Sequence, residues 1–111
     1  MNIHDQAHFD GEIPNGESET LEVDTYRGNT QKVVCIVTNP EGDAAPDYDL
    51  GIDILPGTVP YSDVTARVKE NQNVRYHERT AIPTTMRYTV TNRSGDTDSF
   101  RVVLLAVGPP R

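Results

Sequence analysis

Along most of the chain, apolar and polar residues alternate with a period of two, and no stretch keeps helical spacing long enough for a helix of about ten residues. The pattern predicts an all-β protein. Leu21 and Val23 alternate with Glu22 and Asp24 in a first strand that closes near Arg27-Gly28-Asn29, a turn sequence. Val33, Val34, Cys35, Ile36 and Val37 form a nearly unbroken apolar run, which marks a central strand covered on both faces. Tyr48, Leu50, Ile52 and Ile54 then share one face of a strand whose other face carries Asp47, Asp49, Gly51 and Asp53. Beyond Pro56-Gly57, Val64, Ala66 and Val68 alternate with Thr65, Arg67 and Lys69, and Asn71-Gln72-Asn73 ends that strand. Val74 and Tyr76, with Arg75, His77 and Arg79 on the opposite side, predict a weaker strand whose charges protect an edge. After Pro83, Met86, Tyr88 and Val90 are expected to face inward against Thr85, Arg87 and Thr89. In the last strand Phe100, Val102, Leu104 and Ala106 share one face, yet Val103, Leu105 and Val107 occupy the other. Gly108-Pro109-Pro110 cannot continue a ladder.

Seven strands punctuated by turns predict an about seven-stranded antiparallel β-sandwich. Residues 1–17, with Gly11, Pro14, Asn15 and Gly16 and few apolar anchors, read as an N-terminal arm. Residues 18–108 then form a single sandwich domain and 109–111 a C-terminal tail. The phrase Ile13-Pro14-Asn15-Gly16-Glu17-Ser18, and Ile82-Pro83-Thr84-Thr85 before a strand ending Val90-Thr91-Asn92, resemble immunoglobulin-like accessory domains of surface and virion proteins. The resemblance implies an immunoglobulin-like strand order. The alternative is a jelly roll, which needs an eighth strand, and residues 3–9 are a poor candidate for it. The pattern V-T-N-x-x-G-D occurs twice, at Val37 to Asp43 and at Val90 to Asp96. Two equivalent hairpins, one in each sheet, are the economical reading.

A chain of 111 residues has room for one hydrophobic core. Its longest apolar run, Val102 to Val107, is far below the roughly 20 residues of a bilayer span, so membrane insertion is not expected. No basic segment followed by an apolar one lies near Met1, so no signal peptide is expected either. The net charge of −7 would repel a phosphate backbone, which argues against nucleic acid as a partner. Arg supplies eight of the ten basic residues, and Asp (ten) outnumbers Glu (seven). This bias resembles proteins of halophilic archaea and their viruses. Carboxylates keep such a surface hydrated, and at about 1 M salt a Debye length of roughly 3 Å removes most of the self-repulsion.

Candidate chemistry is sparse. A single cysteine, Cys35, excludes an internal disulfide and a cysteine-rich zinc site, and sharing a face with Val33 and Val37 makes it a buried structural thiol. His4 and His8 are spaced for a shared metal only on a helix, and beside Gly11 and Pro14 they read as a tail. Asp47, Asp49, Asp96 and Asp98 offer hard oxygen ligands that could hold Ca²⁺ at one end of a sandwich, against the plainer reading of solvated carboxylates. Asn92-Arg93-Ser94 fits a glycosylation acceptor on an exposed turn. With no nucleophile elbow, phosphate loop or HExxH sequence, no enzyme is expected, and no cofactor beyond that Ca²⁺.

The remaining outlier is apolar surface. One sandwich has one interior, but two strands are apolar on both faces, so Val34, Ile36, Val103, Leu105 and Val107 are expected to form an interface. The expected partner is another copy of the chain or a larger protein scaffold. The function that follows is structural: a self-associating virion component, such as a capsid decoration, turret or tail protein of a halophilic archaeal virus. Its expected location is the virion, with cytoplasm or cell surface as the alternative. The competing expectation is a carbohydrate- or cell-surface-binding module in which Tyr26, Tyr48 and Tyr61 stack on a ligand, with or without Ca²⁺.

Overall fold

The computed structural model describes residues 2–26, 29–43, 45–55, 59–68 (backbone) and 76–110. Eight strands follow one another: β1 (Asn2–Ile13), β2 (Ser18–Asp24), β3 (Lys32–Thr38), β4 (Tyr48–Leu55), β5 (Val59–Val68), β6 (Tyr76–Thr80), β7 (Thr85–Asn92) and β8 (Asp98–Gly108). They form two four-stranded antiparallel sheets, a first of order β1-β8-β3-β6 and a second of order β2-β7-β4-β5. Among the described residues there is no helix, and so none long and apolar enough to cross a membrane.

The β-sandwich expected from the pattern is therefore present, and its strand order is that of a jelly roll rather than of an immunoglobulin domain. Strands pair as 1 with 8, 2 with 7, 3 with 6 and 4 with 5, as in one long hairpin rolled over itself. What completes the roll is β1. Residues 2–13 are not an arm: they pair along almost the whole of β8, from Asn2 opposite Gly108 to Ile13 opposite Asp98. Ala7 and Phe9 pack on the core and Ile13 lies within it, while Gln6, His8, Asp10 and Glu12 are exposed. An edge strand that buries small or widely spaced apolar residues carries a weak sequence signal.

His4 is no tail residue either. It sits in a β-bulge between Ile3 and Asp5, with Nδ1 2.9 Å from Thr30 Oγ1 and Nε2 2.8 Å from the Pro109 carbonyl oxygen. One imidazole thereby ties β1, the β2–β3 connection and the C-terminal residues. The backbone passes so closely here that a Cβ at Gly108 would overlap the Asn29 carbonyl oxygen, which only glycine tolerates.

The core between the sheets takes alternate residues from both: Val33, Cys35 and Val37 of β3, Tyr48, Leu50 and Ile52 of β4, Met86, Tyr88 and Val90 of β7, and Phe100, Val102, Leu104 and Ala106 of β8. The two V-T-N-x-x-G-D segments are not hairpins within a sheet. Each is a corner, carrying the chain from β3 in the first sheet to β4 in the second, and from β7 in the second back to β8 in the first. Their Asn side chains set the corners. Asn39 Oδ1 accepts from the Glu41 and Asp43 amides at 3.0 and 2.9 Å, and Gly42 takes a φ of 85°. Asn92 Oδ1 accepts from Ser94 N–H, while its Nδ2 donates to the carbonyls of Ile13 and Asp96, both at 2.7 Å. Asn92 is thus buried with its amide fully engaged, and the glycosylation reading of Asn92-Arg93-Ser94 does not hold.

Candidate functional site

The pleat sends alternate residues of the first sheet outward, and the registers place them in rows across four strands. One row is Gln6, Leu105, Val34, Glu78; the next is His8, Val103, Ile36, Tyr76; a third is Ile3, Val107, Lys32, Thr80. The five residues expected at an interface, Val34, Ile36, Val103, Leu105 and Val107, therefore lie side by side on one face. Val34 is 7% exposed and the other four are half-buried. Two further apolar side chains extend the patch at opposite edges, Ile3 and Tyr76, each 55% exposed.

Neither was foreseen as part of this face. Ile3 was hidden by the reading of residues 1–17 as an arm. The sequence sets Tyr76 and Val74 on one side of the strand and charged Arg75, His77 and Arg79 on a protective outer side, and the register of β6 is the reverse: His77 is buried, and Tyr76, Glu78 and Thr80 are exposed. A shift of one residue exchanges the two faces of a strand, and a five-residue strand has little apolar pattern to resist it. Val74 lies outside the described residues.

Two ion pairs rim the patch. Arg101 donates to Asp10 at 2.9 and 3.1 Å on one side, and Lys32 donates to Glu78 at 3.0 Å on the other. Tyr76 Oη also donates to Glu78, at 2.8 Å. That hydrogen bond, with Lys32 behind it, lowers the Glu78 pKa, and the same bond raises that of the Tyr76 hydroxyl. The charges of these pairs cancel, so the chain's surplus of seven negative charges resides elsewhere.

The outer face of the second sheet is of another kind. Ser18, Thr20 and Glu22 of β2 stand opposite Thr91, Thr89 and Arg87 of β7, and Asp49 and Asp53 of β4 flank them. Several of them are paired: Ser18 Oγ lies 2.6 Å from Thr91 Oγ1, Arg87 is 3.5 Å from Asp53, and Arg93 of the following corner donates to Asp49 at 2.7 Å.

The candidate Ca²⁺ ligands are dispersed over this face and the adjoining corners. Asp49 faces Arg93, and Asp98 accepts from Ser94 Oγ at 2.6 Å. Asp47 and Asp96 contribute backbone carbonyls, Asp47 to the Arg93 amide and Asp96 to Asn92 Nδ2 and Ser94 Oγ. Among the described residues, no three His, Cys, Asp or Glu side chains are grouped so as to hold a metal ion.

Directly beneath the apolar face, on the inner side of β3 and β6, Cys35 stands opposite His77. Tyr48 reaches across from the second sheet, its Oη 2.7 Å from His77 Nε2, and the two rings meet edge to face at 6.0 Å. Phe100 packs on the other side of Tyr48, also edge to face, at 6.4 Å. Burial pushes the Cys35 thiol up to about 12, so at neutral pH it carries its proton and is a poor nucleophile. Burial likewise raises the Tyr48 hydroxyl, with Cys35 adding to the effect. The His77 pKa is lowered, first by burial and then by the like charge of Arg79. The trio is a neutral strut between the sheets. No known protein-family profile matches the chain, and no curated protein matches it significantly.

Proposed function

We propose that this chain is a non-enzymatic assembly protein that packs the outer face of its first sheet against copies of itself or a larger protein scaffold. The observation that carries this reading is the contiguous patch of Ile3, Val34, Ile36, Tyr76, Val103, Leu105 and Val107 on one sheet, where β2, β7 and β4 of the other sheet present mainly polar side chains outward. Full burial of a Val, Leu or Ile side chain contributes roughly 1.5 to 3 kcal/mol before the costs of association, and the half-buried residues here retain part of that. Because Lys32 with Glu78 and Arg101 with Asp10 are paired within the face, these four groups add no net charge against a like copy.

The finer reading is a virion component of a halophilic archaeal virus: a capsid decoration, turret or tail protein. It is supported by the jelly-roll order, an architecture that recurs in viral capsid proteins, and by the Arg- and Asp-biased acidic composition. Lectins use the same architecture, and Tyr26, 74% exposed, supports a carbohydrate-binding reading as the second choice. Tyr48 cannot serve that reading because it is buried, and the Tyr61 side chain lies outside the described residues.

Light scattering at about 0.15 M and about 3 M salt tests the assembly reading. A closed oligomer that Val103→Lys converts to monomer is the expected result. A monomer in both salts, together with calcium-dependent retention on a glycan array, would replace it with the second reading.

A further inference from the structure

One side of the apolar face hangs on β6, the shortest of the eight strands, which is hydrogen-bonded to β3 alone. Alternate residues of β6 serve different ends. Tyr76 and Glu78 belong to the outer face, whereas His77 between them turns inward and meets Tyr48 of the opposite sheet. In the neutral ring either partner can supply the shared hydrogen. In the imidazolium Nε2 must donate, and the buried Tyr48 hydroxyl has to send its own hydrogen elsewhere.

The surroundings do not welcome that charge. Among the described residues, the titratable and charged groups around His77 are the Cys35 thiol of β3, the Tyr48 hydroxyl of β4 and, on its own strand, Glu78 and Arg79. Glu78 is the one carboxylate of this set, and it lies on the opposite face, engaged by Lys32 and Tyr76. Arg79 repels a second cation. A protonated His77 is therefore most easily relieved by leaving the interior, and an edge strand of five residues has few bonds to hold it back.

We propose that His77 is a proton-operated latch on the docking face: neutral, it pins β6 to the sandwich through Tyr48; protonated, it releases β6 and removes Tyr76 and Glu78 from the patch. The link to association rests on the assembly reading above, whereas release of β6 does not. The sign follows from burial. The closed state holds His77 below the ordinary 6.5, and the opened strand restores that value. The opening equilibrium is then constant above the ordinary pKa and rises by up to about tenfold per pH unit below it, until the closed-state pKa is passed.

Amide exchange of the full-length chain between about pH 7.5 and about pH 5, corrected for intrinsic rates, reads the latch directly. Amides 76–80 should accelerate by close to the predicted factor while those of β7 do not, and the association constant measured by light scattering should fall in parallel. His77→Gln, which keeps a side chain able to bond Tyr48 but cannot titrate, should flatten both responses. Wild-type exchange that is flat with pH, or an NMR titration placing the His77 ring at or above 6.5, would overturn the latch without recourse to any variant. So would an equal acid loss of association in wild type and His77→Gln. Acceleration at 76–80 in a chain that is monomeric at every pH would uphold the latch and discard the assembly reading.

Discussion

The two sheets have the same number of strands and the same inward alternation of large apolar residues, but their outer faces have little in common. Among the described side chains, outward positions of β2, β7 and β4 carry mainly Ser, Thr, Asp, Glu and Arg, several of which bond to one another or to the adjoining corner. Outward positions of the first sheet carry Val, Ile and Leu at its centre, with charge at the edges in two ion pairs and Glu12. Strand formation and core packing demand neither choice, since a sheet with one wet face needs polar residues there and an isolated sandwich has two such faces. The outer face of the first sheet departs from this rule, and that departure is what the assembly proposal rests on.

The contrast between inward and outward positions is sharpest at two neighbours. Leu104→Ala, at a fully buried site, should cost about 2 to 5 kcal/mol of stability in denaturant unfolding, whereas Leu105→Ala should cost far less and instead weaken association. Equal costs at the two positions would mean that the outer face belongs to the monomer's own core.

The contrast between the two faces is tested by charge. Val103→Lys should weaken self-association more than about tenfold, equivalent to about 1.4 kcal/mol, while Thr89→Lys on the other sheet leaves the molar mass unchanged. A reversed pattern would move the interface to the polar sheet.

Stability against pH probes the strut beneath the apolar face. Because the folded-state pKa of His77 is lowered, its contribution is complete above the ordinary 6.5 and is lost as pH falls toward the lowered value. Cys35 acts on the alkaline side: with its pKa raised from 9.0 to about 12, its contribution is complete below 9.0 and is lost as pH rises toward 12. Urea midpoints should fall at both extremes, and His77→Gln should remove the acid response. The smallest effect belongs to the rim. Glu78→Gln should leave the thermal midpoint almost unchanged, since exposed pairs are well screened, and should reduce association only slightly.

Much of this was legible in the chain. β4 and β7 show their two faces in the alternation itself, and the five outward residues Val34, Ile36, Val103, Leu105 and Val107 can be singled out because β3 and β8 have no polar side. Two strands lack such a signal. In β1 the inward residues are Ala7, Phe9 and Ile13, too sparse to announce a strand, and in β6 the inward residue is a histidine. The corner role of Asn92 was also hidden: its bonds go to Ile13, Ser94 and Asp96, and only the last two are near it in sequence.

The division has a physical basis. Alternation is a property of the pleat, set by residues two apart, so extended segments and the company each side chain keeps along its own strand are written locally. Strand order, register and sidedness depend on partners dozens of positions away: β1 finds β8 across nearly the whole chain, and Tyr48 reaches over the interior to His77. Those choices are made when the roll closes, because only then does one arrangement bury Ile13, seat His77 against Tyr48 and leave a patch of Val, Ile and Leu facing outward.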